Sequence, residues 1–146
     1  MYKIIACFLL LIILPACDPH SGFGCIAQES HPDVERARQL TQEELEKIYY
    51  EVHKLAEQIP EDSYGKEIYR SDIPDNLEFM GAEHIRINPD RDPYIILANC
   101  YDERIELTLS KIATGTAKIT LHWAKPTVDA PYATGSQVLW EKSLDK

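Results

Sequence analysis

Between Ile85 and Trp123 lie three runs in which apolar and polar residues alternate one by one. Ile85 and Ile87 stand against His84 and Arg86. Ile105, Leu107 and Leu109 alternate with Glu106, Thr108 and Ser110, and Ile119, Leu121 and Trp123 with Lys118, Thr120 and His122. A repeat of two is the side-chain period of a strand, not of a helix. Turn-forming residues separate the runs: Asn88 to Pro93, Asp102-Glu103, and Ala113-Thr114-Gly115-Thr116. Tyr94 to Cys100 adds a continuous apolar strand, and Val138 and Trp140 mark a last short one. Brief connections between successive strands favour an antiparallel meander with one apolar and one polar face.

One segment keeps the other period. Leu45, Ile48, Tyr49, Val52, Leu55, Ala56 and Ile59 fall on one helical face, with Glu43, Glu46, Lys47, Glu51 and Lys54 among the residues on the other. Thr41 with Glu44 three residues on is a capping box, and Pro60 stops the helix. The expected architecture is therefore α+β: one long amphipathic helix packed on a four- to five-stranded antiparallel meander sheet. His31 to Gln39 reads as a short helical turn and Glu61 to Asp72 as a connector. Ile73 to Gly81 reads as one or two helical turns, with proline early and glycine just past the end.

The chain begins with Lys3 and eleven apolar residues, Ile4 to Leu14. That is too short to cross a bilayer core, which takes about 20 residues, and has the shape of a secretory signal peptide. The run closes on Leu14-Pro15-Ala16-Cys17, which resembles the lipobox of bacterial lipoproteins. The resemblance implies cleavage before Cys17 and a diacylglycerol thioether on its sulfur. In many such proteins an acyl chain on its amine completes the anchor. It also implies a place in the bacterial cell envelope. Asp18, directly after the cysteine, favours the inner membrane if the source handles such proteins as enterobacteria do. Two or more acyl chains give stable membrane attachment where one does not.

On this reading residues 1–16 are the signal peptide and 17–40 are the lipidated cysteine with its tether. Residues 41–146 are a single globular domain. Removing Lys3, the one charged residue of the leader, moves the formal charge from −9 to −10. An acidic domain repels phosphate backbones and anionic headgroups, so nucleic acid is not an expected partner. Cys7 leaves with the signal and Cys17 takes lipid, so Cys25 and Cys100 remain as a candidate disulfide; a free buried Cys100 is the alternative.

Catalytic signatures are scarce. G-x-S-x-G, a glycine-rich phosphate loop, H-E-x-x-H and C-x-x-C are all missing from the sequence. Asn88, Asp90 and Asp92 have the alternate spacing of a calcium loop, but Pro93 stands where its glycine belongs. His84 and His122 share the polar face and could meet across the sheet, without a third ligand at metal spacing. No metal or cofactor is expected. The long stretch Lys125 to Ser136 carries Tyr132, an amphipathic contact residue. Tyr132, His84 and His122 are thus the candidate partner contacts. The expected function is a non-catalytic envelope binding domain, tied to the membrane through Cys17 and meeting an envelope protein or peptidoglycan. Two alternatives stand beside it: an inhibitor or immunity lipoprotein against a basic hydrolase or toxin, and a hydrolase using Cys100, with a base such as His84, or a carboxylate pair that the sequence does not single out.

Overall fold

A computed structural model describes residues 26–60, 65–88, 92–100, 103–110, 115–126 and 135–144, with backbone alone for 124–126. Six strands follow one another: β1 (Lys66–Tyr69), β2 (His84–Ile87), β3 (Tyr94–Cys100), β4 (Glu103–Ser110), β5 (Thr116–Pro126) and β6 (Gly135–Ser143). They form one antiparallel sheet in chain order. Two helices precede them, α1 (Pro32–Arg38) and α2 (Gln42–Glu57).

This corrects the expected α+β architecture. Strands predominate, the sheet has six of them rather than four or five, and two helices of 7 and 16 residues replace the single long one. The extra strand is β1, in the stretch read as a connector. Its Lys66-Glu67-Ile68-Tyr69 buries only Ile68, so no alternation announces it. Charged residues on so short an edge strand also protect it from further pairing.

Helix α2 begins where its capping box places it. The Thr41 hydroxyl accepts from the Glu44 N–H at 3.2 Å, and the Glu44 carboxylate accepts from the Thr41 N–H at 2.8 Å. The bond from the Thr41 N–H, with a second from the Thr41 hydroxyl at 2.9 Å, holds the Glu44 carboxyl below its ordinary range. Leu45, Ile48, Tyr49 and Val52 are buried, each worth about 2 kcal/mol of apolar burial. Their partners are the inward residues of the strands, among them Ile85, Ile95, Leu107, Ile119 and Trp140. Tyr49 brings a polar tip into this core and satisfies it: its hydroxyl donates to the Ser110 carbonyl at 3.0 Å. Burial, then the nearby Asp92 and Tyr50, push that hydroxyl up to about 12, so it remains a donor at any ordinary pH.

Helix α1 lies within the stretch assigned to the tether, yet Val34 and Ala37, with Ala27 before them, belong to the same core cluster. The packed region therefore reaches back at least to Ala27. Asp33 is fully buried at the start of α1, and Arg36 neutralises it at 2.6 Å. From the other end of α1, Arg38 reaches β6 and donates to the Gln137 side chain at 2.9 Å.

The pairing register shifts at three places: between Ile96 and Ala98 where β3 meets β4, between Arg104 and Glu106 where β4 meets β5, and between Ile119 and Thr120 where β5 meets β6. The last shift separates Val138 from Trp140. Two residues apart, they would share a face in a regular strand; here Trp140 is buried and Val138 is 45% exposed. The loop read as Lys125 to Ser136 is shorter at both ends, because β5 runs to Pro126 and β6 starts at Gly135. Cys100, at the end of β3, is buried and disulfide-bonded, and no other cysteine lies among the described residues.

Candidate functional site

The pairing registers set two rows of side chains across the sheet on the face turned away from α1 and α2. One row runs Tyr69, His84, Ile96, Glu106, His122, Ser136 from β1 to β6. The other runs Glu67, Arg86, Tyr94, Thr108, Thr120, Val138. No described helix packs on these rows. Short polar residues and long cationic or aromatic ones thus share a surface whose reverse is the apolar core.

His84 and His122 occupy the same row, which is as far as their expected approach goes. β3 and β4 lie between them, so their backbones are three strand spacings, about 14 Å, apart. That separation is too great for one ion to bridge, and no group of metal-binding side chains occurs among the described residues. Tyr132 and Asp90 lie outside the described residues, as do Cys17 and Cys25. The thiol version of the hydrolase reading loses its nucleophile, since a sulfur engaged in a disulfide has no thiolate to offer.

The middle of the face holds what the alternation did not foresee. Glu106 sits at an outward position of β4 and is nevertheless 0% exposed, as Ile96 beside it nearly is. Arg104 supplies part of the cover. Its Nε lies 2.6 Å from the Glu106 carboxylate while its Cζ stands 5.1 Å from the centre of the Tyr94 ring. The Arg104 side chain therefore lies along the sheet above Glu106. Arg86 approaches Tyr94 as well, at 6.0 Å, so one ring is flanked by two guanidinium groups. Each such contact is worth about 0.5–2 kcal/mol, depending on how dry it is.

Toward β1 the face opens. Tyr69 is 55% exposed, its ring 5.6 Å from that of His84. The Tyr69 hydroxyl donates to the Glu67 carboxylate at 2.5 Å, which raises its own pKa, and Glu67 also stands 3.5 Å from Arg86. No protein family, curated protein or solved structure matches this chain. The site is therefore argued from its own chemistry. Two rings, two guanidinium groups and a histidine converge on the β1–β4 half of one sheet face. That set can stack on flat groups and donate hydrogen bonds.

His84 gives this face a pH dependence. Burial lowers its pKa from the ordinary 6.5, and Arg86 and Arg104 act the same way, against Glu67 and Glu83. The unfolded chain then takes up the proton first. Stability should be full above about pH 6.5 and fall as the pH drops through that value toward the lowered one. Urea midpoints measured from pH 7.5 down to 5.5 should show a fall that flattens in His84→Gln.

Proposed function

We propose that the chain is a membrane-anchored lipoprotein of the bacterial cell envelope whose folded part is a non-catalytic binding module. The observation that carries this reading is the aromatic and cationic half-face of Tyr69, His84, Arg86 and Tyr94, set on the side of the sheet opposite the helices. A rigid sheet fixes the spacing of those groups, and binding surfaces gain from groups already held in place. The leader ending at Cys17 supplies the location, with the inner membrane favoured by Asp18.

The partner that suits the face best is the glycan of peptidoglycan. Sugar rings offer flat C–H surfaces to aromatic side chains and hydroxyls to guanidinium donors, and they do not oppose the acidic charge of the domain. Two measurements test the reading. Mass spectrometry of the native membrane-bound protein should find a chain starting at a lipid-modified Cys17; an unmodified start, or one at Met1, removes the anchor from the proposal. Co-sedimentation with purified sacculi should pellet the protein, with binding about tenfold weaker in a Tyr69→Ala, Tyr94→Ala double variant. Protein that stays in the supernatant rules out the glycan. Inhibition of a basic hydrolase is the second reading, and the disulfide at Cys100 together with the −10 charge favours it. Salt-sensitive loss of lysozyme activity on adding the protein would mark it.

A further inference from the structure

A cavity of about 360 Å³ lies away from that face, walled by α1, by the 3-10 turns Arg70–Asp72 and Asp75–Met80, and by the chain entering β2. Arg36, Arg70, Ile73, Glu78, Gly81 and Ala82 line it. Its volume is within the usual range for small-molecule sites, and its wall mixes apolar surface with a few charged groups, as such sites do.

The arginines are held by the backbone. Arg36 donates to the Gly81 carbonyl at 3.2 Å from the same nitrogen that meets Asp33. Arg70 donates from Nε to the Ala82 carbonyl at 3.2 Å and from Nη2 to the Gly81 carbonyl at 3.4 Å. The main chain behind Arg70 is fixed too, since its N–H donates to the Glu83 carbonyl. Gly81 makes the meeting feasible. Its φ of 63° is left-handed, and a Cβ there would lie 2.7 Å from the Arg36 Cζ. Any side chain at position 81 would push against the guanidinium.

The charges then sort themselves. Arg36 is matched by buried Asp33. Arg70 spends its hydrogen bonds on carbonyls, keeping its charge and its Nη1 donors without a carboxylate among the described residues. Glu78 stands on the same lining. A multiply charged anion such as phosphate would face that carboxylate at a cost. A ligand carrying both signs would not.

We propose that this cavity binds a small amino-acid-like zwitterion, its carboxylate on Arg70 beside Arg36, its ammonium on Glu78 and its short apolar body on Ile73 and Ala82. Arginine presents paired N–H donors matched to a carboxylate, which fits it for the first of these contacts. The test is an amide NMR titration of the full chain with four probes: alanyl-alanine, N-acetyl-alanyl-alanine, alanyl-alaninamide and inorganic phosphate. Alanyl-alanine should shift the Gly81 and Ala82 amides saturably. Each blocked peptide should bind about tenfold more weakly, as should alanyl-alanine to Arg70→Gln, while Glu141→Gln binds as the parent does. The proposal is overturned if no probe gives a saturable shift, if phosphate binds as well as the dipeptide, or if Arg70→Gln binds undiminished. The blocked peptides put the question to the unaltered protein, so the answer does not depend on how a variant folds.

Discussion

Arg104→Ala should lower the unfolding free energy by about 3–5 kcal/mol, the range found when one partner of a buried ion pair is removed. The partner left behind is Glu106, 0% exposed on β4, which loses a guanidinium nitrogen 2.6 Å away. Arg104 is itself only 16% exposed, so water does little to screen the pair. An exposed pair would be worth at most about 1 kcal/mol, and burial separates the two cases. The substitution also removes one of the two cations against Tyr94. Urea unfolding at pH 7 should show the loss as a lower midpoint with an unchanged slope. The double variant Arg104→Met, Glu106→Leu should recover most of it, because apolar side chains of similar volume avoid the desolvation of both charges. A single-variant cost below about 1 kcal/mol would mean the pair behaves as a surface one.

The same residues show where the sequence was readable. In β2, β4 and β5 the period of two marked the inward residues, and Ile85, Leu107 and Ile119 are all fully buried. The capping box of α2 needed only Thr41 and Glu44, three residues apart. What could not be read depends on contacts that only the folded sheet makes. Glu106 looked like a solvated strand residue because nothing local shows that Arg104 folds over it toward Tyr94. His84 and His122 could be assigned a face, but their distance depends on strand order. The bulge that parts Val138 from Trp140 has no signal of its own in either strand. In β1 four residues with one buried side chain were too few to show a period. Gly81 was legible as the end of a helical turn. Its second use, leaving room for the Arg36 guanidinium, needed the contact between α1 and the segment before β2.

Breaking the disulfide of Cys100, by reduction or by Cys100→Ser, should destabilise the domain by about 2–4 kcal/mol. On the proposed lipoprotein reading Cys7 would leave with the leader and Cys17 would carry the lipid, and the bond's other half is then Cys25. A link from Cys25 to β3 closes a loop containing α1, α2, β1 and β2, and chain entropy alone assigns such a loop about 4 kcal/mol. Cys25→Ser and Cys100→Ser should therefore lower the urea midpoint equally, and reductant should add nothing to either variant. Non-reducing peptide mapping should recover one linked pair containing both residues; a linked peptide carrying Cys17 would defeat both the pairing and the lipid assignment. The anchor is affected as well. Because Ala27, Val34 and Ala37 are packed in the core, a leash would have to end before Ala27 rather than at residue 40. On that pairing only residues 18–24 would separate Cys17 from the bond, and seven extended residues span at most about 25 Å. The domain would be held close to the bilayer, which limits its partners to those within that distance plus its own breadth.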